Sequence, residues 1–133
     1  MNKKNISPKW IEHLEKNEIF VFGSNLAGSH GGGAAKLAMN WGAVLGKGVG
    51  LYGQTYAIPT MQGGVETIEP YTNEFLLFTK EHPELKFFVT EIGCGIAGFT
   101  VKEIAPLFKN VISGKFENVY LPESFYNELE NKE

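Results

Sequence analysis

The chain has 133 residues, 43% of them hydrophobic and 20% charged, with a formal net charge of -3. That length gives room for one domain with one core, and the composition is that of a folded chain rather than a disordered one. The negative balance argues against duplex nucleic acid as the main partner, since such binders present a basic field, and no apolar run approaches the ~18 residues of a membrane span.

From the start of the chain, Ser7-Pro8 has the form of a helix start, and Trp10, Ile11 and Leu14 would share one stripe. Residues 1–17 are therefore expected as an N-terminal helical extension of a single domain spanning 1–133. Ile19-Phe20-Val21-Phe22 is a continuous apolar run, the pattern of a strand buried on both faces. A polar, glycine-rich loop follows from Gly23 to Gly33. Ala34 to Trp41 reads as a helix, with Ala34, Leu37, Ala38 and Trp41 on one face and Lys36 and Asn40 away from it. Gly46, Gly48, Gly50 and Gly53 mark a second loop, and Tyr56-Ala57-Ile58 a short strand ended by Pro59. The clearest helix runs from Pro70 to Glu81, with Tyr71, Phe75 and Phe78 on its inner side. Lys86 to Ile92 is the next strand, rich in Phe and Val. Thr100 and Glu103 have capping-box spacing for a helix that Pro106 limits or kinks. Phe116 to Leu121 alternates as a strand, and Pro122 opens a last helix carrying Phe125, Tyr126 and Leu129. Strands separated by helices predict a three-layer α/β/α fold with a mostly parallel or mixed sheet.

Two absences limit the chemistry: all 12 basic residues are Lys and all 15 acidic ones are Glu, so the chain contains no Arg and no Asp. An arginine clamp on phosphate is excluded, as is an Asp general base, so a bound phosphate must rely on backbone N–H groups or Lys. Cys94 is the single cysteine, which excludes an internal disulfide and a cysteine metal cluster. His13, His30 and His82 lack ligand-like spacing, so no metal and no other cofactor is expected. The start Met-Asn-Lys-Lys leads into polar sequence, and a cytoplasmic location is expected.

Two glycine-rich loops carry the functional signal. Gly23-Ser24-Asn25 opens the first and Gly31-Gly32-Gly33 closes it into a helix, letting the backbone approach an anion closely. No Gly-Lys-Ser/Thr follows, so it is not a Walker loop. The second, Gly93-Cys94-Gly95-Ile96-Ala97-Gly98-Phe99, contains G-x-G-x-x-G between a strand and a helix. A dinucleotide-binding Rossmann unit would need further strands and an acidic residue at a strand end ~20 positions on, and the 35 residues after Gly98 do not supply them. A thiol nucleophile at Cys94 with His30 as base is a third reading, although Ile92 and Ile96 stand where a nucleophile elbow has glycines. His30 is read as a loop residue facing solvent, Lys36 and Lys47 as solvated or phosphate-screening, and Glu91 as either a ribose contact or a rim residue.

The order strand, Asn25, glycine-triplet helix start, short strand, helix, strand and Ile92-Gly93-Cys94-Gly95-Ile96-Ala97-Gly98-Phe99 resembles the macrodomain family of ADP-ribose-binding modules. The likeness covers roughly residues 18 to 122 and is to an abbreviated form found in phage-like bacterial proteins. It implies that Asn25 contacts the distal ribose, that Gly31, Gly32 and Gly33 wrap the pyrophosphate side, and that Gly93 through Phe99 bind the diphosphate with N–H groups. It also implies ADP-ribosyl hydrolase activity as an extension, with Asn25 and loop N–H groups positioning a water, and an ADP-ribosylated macromolecule as partner. The chain departs from the family in having no Asp for adenine. Ala97 stands where the branch that cleaves acidic side-chain esters has an Asp, and Met39 and Asn40 stand near its Lys position. A protein-interaction module without a nucleotide, or a Cys-dependent hydrolase, are the competing readings.

Overall fold

In the computed structural model, residues 5–114 and 116–130 are described. Strand β1 (Glu18–Ser24) is followed by helix α1 (Gly33–Ala38), which tightens into a 3-10 turn at Met39–Trp41. Next come β2 (Gly50–Tyr52), β3 (Thr55–Pro59), a 3-10 turn at Val65–Thr67, α2 (Glu69–Lys80) and β4 (Lys86–Val89). The chain ends with α3 (Val101–Ile104), a 3-10 segment at Ala105–Phe108, α4 (Lys109–Ser113), β5 (Val119–Tyr120) and α5 (Glu123–Glu130). The five strands form one mixed sheet in the order β2-β3-β1-β4-β5. All neighbours are parallel except β2, which pairs antiparallel with β3 through a tight turn at Gly53, whose φ is +60°. Such a turn suits the right-handed twist of a hairpin.

The central strand explains the layering. Successive residues of a strand face opposite sides, and along β1 Ile19 and Val21 join one core while Phe20 and Phe22 join another. The first core is closed by α2 and the segments after β4, with Phe75, Ile104, Phe108 and Phe125 fully buried. The second is closed by α1 through Ala34, Ala35 and Ala38, together with Trp41 and Leu14. The continuous apolar run of β1 is thus used on both faces.

Three sequence expectations need correction. Of the expected N-terminal helical extension, residues 1–4 lie outside the described residues, and residues 5–17 contain no helix. Ile6 instead bridges in parallel to Leu121, the Ser7 N–H donates to the Leu121 carbonyl (2.9 Å), and the Ser7 hydroxyl donates to the Tyr120 carbonyl (2.9 Å). Ser7 therefore caps no helix, and Trp10 lies exposed while Leu14 is buried. Sheet pairing outcompetes a short helix that would have had to nucleate alone. The expected strand Phe116–Leu121 is only Val119–Tyr120, and β4 stops at Val89, three residues before Ile92. The capping box is present as predicted: the Glu103 N–H donates to the Thr100 hydroxyl (3.2 Å) and the Thr100 N–H to the Glu103 carboxylate (2.9 Å). Pro106 then converts the helix to a 3-10 segment.

Candidate functional site

After β1 the chain turns through α1 toward β3, whereas after β4 it turns through α3 toward β5. Adjacent parallel strands whose connections diverge open a crevice at their carboxyl ends. That crevice lies between β1 and β4, and both glycine-rich loops emerge there. The structure brings them into contact: a Cβ on Gly23 would sit 3.2 Å from the Gly93 nitrogen and 3.3 Å from the Thr60 hydroxyl. Farther along, a Cβ on Gly32 would lie 3.6 Å from Cδ1 of Ile96, which is 76% exposed on the lip of the second loop.

The second loop is folded on itself. Phe99 N–H donates to the Gly93 carbonyl (2.8 Å), Cys94 N–H to the Glu91 carbonyl (3.1 Å) and Gly98 N–H to the Gly95 carbonyl (3.0 Å). Gly93 and Gly98 hold φ of +75° and +86°, which other residues rarely adopt. The N–H groups of Gly95, Ile96 and Ala97 have no acceptor among the described residues. Neither have those of Gly31 and Gly32 across the crevice, and the space beside Gly31, Gly33, Gly95 and Gly98 is open. Donors left without a protein acceptor at an open cradle suit an anion.

The first loop is held from behind. Asn25 accepts the Ser29 N–H on its side-chain oxygen (3.1 Å), and the Gly28 N–H donates to the Asn25 carbonyl (3.0 Å). Ser24 is buried and spends its hydroxyl on the Gly48 carbonyl. A supporting loop, residues 44–48, fits so closely that a Cβ on Gly48 would fall 1.9 Å from the Asn25 carbonyl oxygen. His30 is the correction here. It is only 4% exposed rather than facing solvent, and its Nε2 donates to the carbonyls of Val44 (3.0 Å) and Lys47 (3.2 Å). Its ring meets Phe22 edge-on at 5.3 Å, and Nδ1 has no hydrogen-bond partner among the described residues. His30 anchors the loop through the two carbonyls that hold its Nε2.

Cys94 is half-buried, and burial, then the carboxylates of Glu91 and Glu103, push its thiol up to about 11. A nucleophile needs the opposite shift. Phe99 packs into the core, and a Cβ on Gly93 would lie 3.3 Å from its ring. Ala97 is partly buried between exposed Ile96 and Gly98, while Lys36 and Lys47 are exposed. Glu91 is exposed and accepts a short hydrogen bond from the Ser124 hydroxyl. Beside the crevice lies a cleft of about 830 Å³ reaching Phe20, Ala34, Thr90, Glu91, Ser124 and the segment around Trp10. That volume is in the range of small-molecule sites.

Sequence reasoning missed this cleft and the supporting role of Gly48. The glycine spacing at 46, 48, 50 and 53 was a visible signal, but the backbone that Gly48 admits lies 23 residues earlier. Among the described residues, no group of three or more His, Cys, Asp or Glu is placed to hold a metal ion, and no helix is long and apolar enough to cross a membrane. No protein-family model matches the chain, and no curated protein or solved structure matches it.

Proposed function

We propose that the chain binds ADP-ribose or a related nucleoside diphosphate across the β1/β4 crevice, in a macrodomain-like manner. The observation that carries this reading is the pair of glycine loops that meet at Gly23 with Gly93 and at Gly32 with Ile96, each carrying unmatched N–H groups. A diphosphate bridges such a pair without any side-chain cation, as a chain lacking Arg requires. The Gly93–Phe99 loop grips one phosphate and the Gly31-Gly32-Gly33 turn the other. Hydrolysis of an ADP-ribosyl bond is a further step in which Asn25 and the loops hold a water against the anomeric carbon, by positioning rather than acid–base chemistry.

Calorimetric titration with ADP-ribose, ADP and AMP tests the reading. ADP-ribose is expected to bind at least tenfold more tightly than AMP, which offers one phosphate to a two-sided grip; equal affinity would remove the diphosphate argument. Thermal shifts extend the test, since a ligand at 100 times its Kd stabilises by about 2.7 kcal/mol. The protein-interaction reading draws on exposed Leu26, Leu45 and Met61. Leu26 and Leu45 flank the contact in which the Gly46 N–H donates to the Gly28 carbonyl. No shift with any nucleotide would favour it.

Substitutions separate the roles of Asn25 and Cys94. Asn25→Ala removes both the loop closure and the ribose contact and is expected to weaken binding roughly 5- to 150-fold, from about 1–3 kcal/mol per lost hydrogen bond. Asn25→Asp keeps an oxygen for the Ser29 N–H but removes the amide that donates to the Ser29 carbonyl (3.5 Å) and adds a negative charge, so a loss of affinity with an unchanged melting temperature points to the site rather than to loop closure. Cys94→Ala should leave affinity within a few fold, and alkylation of Cys94 should be slow at neutral pH, rise steadily with pH and level off only near pH 11. An inactive Cys94→Ala protein would restore the thiol-enzyme reading.

A further inference from the structure

We propose that Trp10 is the stacking platform for the base of the bound nucleotide, held over the 830 Å³ cleft by a strap pinned at both ends. The proposal rests on the nucleotide reading above and adds to it the residue that grips the base end. At one end of the strap, the Leu121 N–H donates to the Asn5 carbonyl (3.0 Å), the Ser7 N–H to the Leu121 carbonyl (2.9 Å), and the Asn5 side-chain amide to the Glu117 carbonyl (2.7 Å). At the other end, the Gln54 side-chain amide donates to the Glu15 carbonyl (2.8 Å), and Leu14 is buried in the second core. Between these pins, Pro8 to Glu12 make no hydrogen bond to the rest of the described chain.

Trp10 sits in that middle stretch and is 78% exposed, although it lines the cleft. Trp41, the other tryptophan, is engaged in packing against Phe20 at 5.1 Å. An exposed indole beside an apolar floor of Phe20, Ala34 and Leu37 leaves a large planar surface in water that a flat ligand would cover. Stacking on an aromatic ring accepts any base, because every base has a π-face.

The charges fix which end of the ligand enters. Glu12, Glu91 and Glu123 line the cleft against a single cation, Lys9. Carboxylates repel a phosphate and accept hydrogen bonds from an amino group, so the occupant is an amino-bearing base rather than a second anion. Thr90 and Glu91 line the cleft and stand three and two residues before Gly93, where the second glycine loop begins along the chain. The ligand therefore lies with its phosphates at the glycine loops and its base beneath the strap.

The test titrates wild type, Trp10→Ala and Trp10→Phe with ADP-ribose, and with ribose 5-phosphate as a competitor that lacks a base. Trp10→Ala should lose roughly 5- to 150-fold in ADP-ribose affinity, Trp10→Phe should recover most of it, and ribose 5-phosphate should compete equally against all three. In a Trp41→Phe background, ADP-ribose should quench the remaining Trp10 fluorescence. Because Trp10 is exposed, its removal should leave the melting temperature of the free protein unchanged. Trp10→Ala binding ADP-ribose within about twofold of wild type, or weakening both ligands alike, would overturn the stacking role while leaving the nucleotide site in place. Wild type that binds none of ADP-ribose, ADP and AMP would overturn the nucleotide reading, and the stacking role with it.

Discussion

Gly32→Glu is expected to abolish nucleotide binding, by at least about 100-fold, while the protein stays folded. Gly32 precedes α1 with φ of -159°, an extended backbone that any residue adopts, so the substitution introduces no strain. A Cβ there meets only Cδ1 of Ile96, at an ordinary 3.6 Å. The longer side chain then enters the space between the two loops and carries its charge to where a phosphate should lie. Like charges brought together out of water cost several kcal/mol. Gly32→Gln, of the same size but neutral, should lose clearly less, which separates charge from bulk. Gly98→Glu should also eliminate binding, but φ of +86° at Gly98 adds backbone strain and makes the result harder to assign. Calorimetry with ADP-ribose, paired with circular dichroism, reads the outcome. Unchanged affinity in folded Gly32→Glu would place the ligand elsewhere.

Gly48→Ala, by contrast, should damage the fold and the site together. Its Cβ would stand 1.9 Å from the Asn25 carbonyl oxygen, 2.9 Å from the Asn25 carbonyl carbon and 3.1 Å from the Leu26 Cα, all backbone atoms that cannot rotate away. Either the 44–48 loop or the Asn25 loop must move. Moving the first strips Ser24 of its bond to the Gly48 carbonyl and His30 of its two acceptors. Overpacking of this kind costs about 1–3 kcal/mol, occasionally more, and a melting temperature lower by roughly 5–15 °C is expected. Binding should fall as well, because Asn25 and the glycine triplet are carried on the displaced loop. A variant that melts and binds like wild type would show that the two loops are not interlocked. Gly46→Ala is the control: φ of +87° is strained, but nothing lies within 4 Å of the added atom. It should cost about 1–2 kcal/mol and leave binding largely intact.

What the sequence determined by itself was local. The apolar run Ile19–Phe22 required a strand covered on both sides. The Tyr71, Phe75 and Phe78 spacing required α2, and Thr100 with Glu103 required a capped helix start; each signal lies within a few residues, where backbone sterics and side-chain periodicity act. The two glycine loops were legible for the same reason, as was their position after strands. Their meeting was not, because the approach of Gly23 to Gly93, 70 residues apart in the chain, depends on β1 and β4 being neighbours. The tertiary structure also reversed local preference at Ser7-Pro8, where bridging to Leu121 replaced a helix. It turned His30 inward, since Val44 and Lys47 offered carbonyls that no nearby residue could. Finally, it made the cleft under Trp10 from the two ends of the chain and the sheet between them. Short-range patterns fix which elements form, but a site built where distant backbones touch is decided only by how those elements pack.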